Sequence, residues 1–191
     1  GGQVPLTSPD PIISPAWSPD GRELAYVSFE TRKAVIWVQD MASGTRRQVA
    51  NYKGTNSAPA WSPDGRELAV TLSRDGGSQI FMMGRDGSNA RRVSQGSAIN
   101  TEATFAPDGK TLYFVSDRGG SPQIYKQAVA GGNAERVTFS GSYNISPDIS
   151  PDGRTLAFVQ RQGGGAFKVM TMDLASGTTQ SVSDTSDDES P

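Results

Sequence analysis

Ser14-Pro-Ala-Trp-Ser-Pro-Asp-Gly-Arg-Glu-Leu-Ala-Tyr26 is one of four copies of a single pattern. Ala58-Pro-Ala-Trp-Ser-Pro-Asp-Gly-Arg-Glu-Leu-Ala-Val70, Glu102-Ala-Thr-Phe-Ala-Pro-Asp-Gly-Lys-Thr-Leu-Tyr-Phe114 and Ser146-Pro-Asp-Ile-Ser-Pro-Asp-Gly-Arg-Thr-Leu-Ala-Phe158 align with it without a gap. The turn prolines Pro19, Pro63, Pro107 and Pro151 therefore recur at a constant interval of 44 residues. A period in the low forties with strand-like content is the signature of β-propeller blades. The fold class that follows is all-β: a propeller of four-stranded blades, four of them present.

Each repeat divides into four strands. The first ends at Pro-Asp-Gly, where proline presets φ, aspartate caps the turn and glycine accepts a left-handed backbone. The second strands are expected at Leu24–Phe29, Leu68–Leu72, Leu112–Ser116 and Leu156–Gln160, and the third around Val35–Val38, Ile80–Met83, Gln123–Lys126 and Phe167–Met170. Short outer strands are expected around Val49, Val93, Val137 and Val182. The blades are expected at 14–57, 58–101, 102–145 and 146–189, with 1–13 as the outer strand of a preceding blade and lead-in, and 190–191 opening a fifth blade. Gln3-Val-Pro-Leu6 reads as that preceding outer strand, and Asp187–Pro191 as the lead-in to the further blade.

A blade is apolar on both faces, so each face needs a neighbour. Leaving roughly 1,000 Å² of blade face in water forfeits about 25 kcal/mol, more than the ~5–15 kcal/mol that holds a typical domain folded. Four blades must close on themselves, self-associate through exposed blade faces, or belong to a larger ring. The last reading fits the terminal segments best.

Composition narrows the function. The chain has 191 residues, 35% of them hydrophobic, with 22 glycines and 12 prolines, and a net charge of −2 from 18 basic and 20 acidic residues. That balance would not concentrate nucleic acid or an anionic membrane, and no apolar run is long enough for direct membrane insertion by a helix. Arg46-Arg47 and Arg91-Arg92 read as solvated outer-edge residues that discourage sheet-to-sheet association. No charged segment followed by an apolar stretch opens the chain, so any export signal is expected to be removed or upstream.

Catalysis is not expected. There is no cysteine and no histidine, which removes the commonest general base and the commonest transition-metal ligand. The serines have no such base to activate them and no Ser-x-x-Lys arrangement. Asp20, Asp64, Asp108 and Asp152 repeat in every blade and read as turn caps rather than a metal array. Trp17, Trp61, Phe105 and Ile149 share one position and read as packing between blades. Gly76-Gly77, Gly119-Gly120 and Gly163–Gly165 precede no helix, so they cradle no phosphate.

The repeat motif, its period, and the stretches Arg118-Gly-Gly-Ser-Pro-Gln-Ile-Tyr125 and Gly96-Ser-Ala-Ile-Asn-Thr-Glu102 together resemble the TolB family over essentially the whole chain. The resemblance implies a periplasmic, non-catalytic, protein-binding portion of a six-bladed propeller. In that family the propeller follows an N-terminal α/β domain and serves the Tol–Pal system, which maintains outer-membrane integrity during division. Its partners would be a Pal-like lipoprotein, other Tol proteins and colicin peptides. The family's contacts fall on the loops entering the innermost strands. The matching positions are Ile13, Ser14, Thr55, Asn56, Ala58, Asn100, Thr101 and Glu102, with Tyr143 and Asn144 on the loop leading into the fourth repeat. Thr55 departs from the family, which often has histidine there, so a Pal contact at that point would differ. No cofactor is expected from the residues; the family can also hold calcium in its channel, and the oxygen ligands for it are not identifiable in this sequence.

The residues point to the same place on their own. The connections Asn51–Ser57, Gln95–Thr101 and Ser140–Ser146 are polar and vary from blade to blade while the strands repeat. Variation on a fixed scaffold is where a binding surface is written. Two other readings stay open: a propeller lid gating a peptidase or another hydrolase, and a structural or engineered repeat fragment.

Overall fold

The Pro-Asp-Gly turns do what their chemistry predicts. In the computed structural model, which describes residues 10–182, the Ser18 hydroxyl donates to Asp20 Oδ1 at 2.7 Å and the Arg22 amide donates to the same oxygen at 3.0 Å. The same pair of bonds holds Asp64 and Asp152. Where alanine replaces the serine, Asp108 accepts from the amides of Lys110 and Thr111 instead. Each turn glycine has positive φ, and Gly65 lies 3.6 Å, measured from the Cβ it lacks, from the Pro19 ring of the preceding blade.

Sixteen strands are described, in four antiparallel sheets. The first sheet is β1 (Ile12–Trp17), β2 (Glu23–Ser28), β3 (Val35–Asp40) and β4 (Arg46–Ala50). The second is β5 (Asn56–Trp61), β6 (Glu67–Leu72), β7 (Gln79–Gly84) and β8 (Arg91–Arg92). The third is β9 (Asn100–Phe105), β10 (Thr111–Ser116), β11 (Gln123–Ala128) and β12 (Glu135–Arg136). The fourth is β13 (Asn144–Ile149), β14 (Thr155–Arg161), β15 (Phe167–Asp173) and β16 (Thr179–Ser181). Each sheet is a meander in chain order. The innermost strands pack in series, β1 on β5, β5 on β9 and β9 on β13. No comparable contact returns β13 to β1 among the described residues. The expected outer strand at Gln3–Leu6 and the lead-in at Asp187–Pro191 lie outside the described residues.

The core lies between blades, not within them. Alternate residues of a strand point to opposite faces of its sheet. Leu68, Val70 and Leu72 pack with Ala25, Val27, Ile36 and Val38 of the first blade, while Ala69, Ile80 and Met82 pack with Phe105 and Phe114 of the third. Tyr113 and Ile124 then meet Ile149, Leu156 and Phe158 of the fourth. Strand β6 is consequently buried on both faces. Strand β15, whose outer face has no described blade against it, is only half-buried.

Three expectations change in detail. The outer strands β8 and β12 end before Val93 and Val137, because the amides of Val93 and Ser94 both converge on the Ile80 carbonyl, as those of Val137 and Thr138 do on Ile124. Two donors on one acceptor break the ladder as a bulge does. Among the described residues Trp17 does not pack between blades: it is 58% exposed, whereas Trp61 in the equivalent position is 8% exposed. Trp61 has a preceding blade to lean on, and Trp17 has none among the described residues. Arg47 is more than a solvated edge residue, since it makes two hydrogen bonds, at 2.7 and 3.2 Å, to the buried Glu23 carboxylate. Arg46 likewise pairs with Glu30 and stacks 4.5 Å above the Trp37 ring.

Candidate protein-binding face

The loops from each outermost strand to the next blade's innermost strand share one rim with the hairpins between the second and third strands. Backbone bonds join the two sets. The Ser73 amide donates to the Thr55 carbonyl, the Asp117 amide to Ile99 and the Arg161 amide to Tyr143, all within 3.3 Å. The Pro-Asp-Gly turns lie at the other end of the same strands. The lowered pKa values of Asp20, Asp64 and Asp152, caused first by the serine hydroxyl beside each, therefore belong to the opposite face.

The candidate residues fall into two groups. Ile13, Ser14 and Thr55 are exposed, and Ala58, Thr101, Glu102 and Tyr143 are half-buried at the rim or along the channel. Asn56, Asn100 and Asn144 are completely buried. Asn56 Nδ2 reaches the carbonyls of Ala34, Tyr52 and Gly54, and its Oδ1 accepts the Tyr52 amide. Asn100 bridges Gln79 and Ala98 of the preceding blade and accepts from Arg118. Asn144 repeats this with Gln123, Ser140 and Gln160. These three side chains are spent on holding the entry loops, and the residues around them face outward.

Several rim residues escaped sequence reasoning. Ile99, on a loop read as polar, is 51% exposed, and Phe139, immediately before another such loop, is 75% exposed. Arg74 lies 4.8 Å from the Tyr52 ring and 4.5 Å from the Phe81 ring. Arg118 is stacked 4.9 Å from Tyr125. Both arginines come from hairpins that were assigned no role. The signal available was the basic residue at one repeat position in two consecutive blades.

On the channel side, a cavity of about 310 Å³ is bordered by Ser14, Ala58, Glu102, Ser146 and Asp148, together with the neighbouring prolines. Glu102 is already engaged, because the Ser146 amide donates to its Oε2 at 2.7 Å. Among the described residues no three acidic side chains group as a metal site.

Four meandering four-stranded sheets, packed face to face with their first strands innermost, define the class: a β-propeller. Residues 2–191 match the TolB beta propeller domain, and the chain belongs to that family. It is similar to the crystal structure of TolB from Acinetobacter baumannii, with a TM-score of 0.90 and 45% identity over 97% of this chain and 47% of that one. The chain thus spans about half the length of that relative. A Tol-Pal system protein TolB from Polaromonas sp. (strain JS666) is 64% identical over 58 residues, 30% of this chain and 14% of the relative. Another from Chromobacterium violaceum is 66% identical over 55 residues, 29% of this chain and 13% of the relative. A puromycin-hydrolysing peptidase from Mycobacterium tuberculosis matches with a TM-score of 0.72 over 90% of this chain and 29% of that one, at 17% identity, a likeness of fold alone.

Proposed function

We propose that this propeller is a non-catalytic protein-docking scaffold of the Tol–Pal system. It works in the periplasm and helps maintain the outer membrane by receiving a Pal-like lipoprotein at the channel-mouth rim. Colicin peptides would exploit the same rim. The observation that carries this reading is a single backbone position. Thr55, Ile99 and Tyr143 accept the same hydrogen bond from the neighbouring hairpin, yet their side chains are a hydroxyl, an aliphatic and an aromatic. A scaffold that holds its backbone constant while varying the outward side chain is built for recognition. Membership of the TolB propeller family supports this reading.

Calorimetric titration of the folded chain with purified Pal tests the proposal. Saturable binding that weakens at least about tenfold on Ile99→Asp, the loss of one desolvated anchor, is the expected result. A chain that shows native circular dichroism and yet gives no heat with Pal overturns it.

A further inference from the structure

Four residues at the channel mouth hold a backbone conformation that L-residues avoid. Ser14, Ala58, Glu102 and Ser146 have φ of 53°, 48°, 52° and 52°. Each opens a bulge in its innermost strand. In the second blade Ser57 pairs with Thr71 and Ala60 with Ala69, leaving Ala58 and Pro59 opposite the single residue Val70. The Ser62 amide donates to the Glu67 carbonyl and the Ser73 amide to Thr55, so the odd-numbered residues of β6 serve β5. Val70 is paired with Phe81 in β7. The β6 ladder therefore offers the Ala58 N–H no partner, and the bulge turns it toward the channel. Strain of this kind persists where the turned group is used.

One of the four donors shows what it receives. The Ser146 N–H donates to Glu102 Oε2 at 2.7 Å, and the Ser146 hydroxyl adds a contact at 3.4 Å. A side chain from the preceding blade has reached forward one repeat to lay its carboxylate on the bulge amide. For Ala58 the residue in Glu102's place is Ser14, whose side chain is too short to do the same. The first two blades contribute only Ser14, Pro15, Ala58 and Pro59 to the cavity, an uncharged half, while Glu102 and Asp148 stand on the third and fourth. The surrounding hairpins carry Arg32, Arg74, Arg118 and Arg161 together with Glu30, Asp75 and Asp117, so what favours an acidic visitor is the bulge amide itself rather than a field of one sign.

We infer that the Ala58 N–H is a receptor for a carboxylate brought by the docking partner. An aspartate or glutamate side chain would enter the mouth and take the place that a glutamate at position 14 would fill. A backbone N–H to an ionised oxygen is among the stronger hydrogen bonds available. This inference rests on the reading of the rim as a protein-docking face.

The test follows the amide itself. ¹⁵N–¹H spectra of the chain are titrated with N-acetylglutamate amide and, separately, with N-acetylglutamine amide. The expected result is a saturable downfield movement of the Ala58 amide proton with the first probe and none with the second. Ser14→Glu should move that proton downfield with no probe added and abolish the response. Glu102→Ala, which removes the acceptor, should make the Ser146 amide responsive for the first time, and this keeps the test alive should Ser14→Glu misfold. A silent Ala58 amide, or equal movement with both probes, overturns the inference. Against Pal, Ser14→Glu should weaken binding roughly tenfold. A responsive Ala58 amide in a chain that ignores Pal would sink the docking proposal and leave the carboxylate site standing. Pal binding with a silent Ala58 amide would do the reverse.

Discussion

The indole Nε1 of Trp61 donates a 3.0 Å hydrogen bond to the carbonyl of Ala16 in the preceding blade. The side chain thus packs in the core between the first two blades and also satisfies a backbone acceptor there. Trp17, one period earlier, has no described blade to receive it.

Trp61→Ala is therefore expected to cost about 3–5 kcal/mol, the usual range for deleting a buried large aromatic. Trp17→Ala should cost under about 1 kcal/mol. Urea denaturation of the two variants measures the difference. Equal losses would mean that Trp17 is covered as Trp61 is.

Glu23 is buried between two guanidiniums. Arg47 makes a two-pronged contact with it, and Arg85 Nη2, from the second blade, reaches its Oε2 at 2.6 Å. Burial pushes the Glu23 pKa up, but the bonds and charges of Arg47 and Arg85 outweigh it and leave the value below the ordinary 4.5. A depressed folded pKa stabilises the native state above the unfolded pKa, and that contribution is lost as pH falls through the folded value. Glu23→Ala should thus cost about 2 kcal/mol at neutral pH, limited because both arginines can return to water. The gap between variant and wild type should close as pH is lowered below 4.5. Thermal melts across that range provide the measurement.

Gly87 and Gly131 occupy equivalent turns with φ of 87° and 103°. A Cβ on Gly87 would stand 2.5 Å from the Val49 carbonyl oxygen of the preceding blade, while one on Gly131 would meet nothing within 4 Å. Gly131→Ala should cost about 1 kcal/mol, the strain of the left-handed backbone alone. Gly87→Ala adds a clash with an immovable backbone and should cost about 3 kcal/mol or more. A midpoint difference in guanidinium denaturation decides between them.

Asn100→Ala removes an acceptor from Arg118 and donors from Gln79 and Ala98. About 2 kcal/mol of stability should go with these bonds. Hydrogen exchange should accelerate first at residues 95–99, since the buried amide anchors that entry loop to the previous blade. Uniform acceleration along the chain would contradict this local role.

Much of the architecture was legible in the residues. Proline, aspartate and glycine at a constant interval dictate identical turns, and identical turns separated by alternating strands dictate blades. The three buried asparagines illustrate what was not legible. Asn56, Asn100 and Asn144 stand in variable loops, look like recognition residues, and are instead hydrogen-bonded staples between blades. Burial is a property of the packed neighbour, which a linear string does not display. Ile99, Phe139, Arg74 and Arg118 were missed for the converse reason: two loops distant in the repeat converge on one rim only after the sheet has folded.

The local conformational preferences of its turns were enough for the chain to specify four-stranded blades and their order, because those preferences act over a few residues and repeat. Only tertiary packing decided which equivalent side chain is covered, which bulge amide faces the channel, and which carboxylate reaches it. Those outcomes depend on the distance from one blade to the next, which is set by how two sheet faces interdigitate.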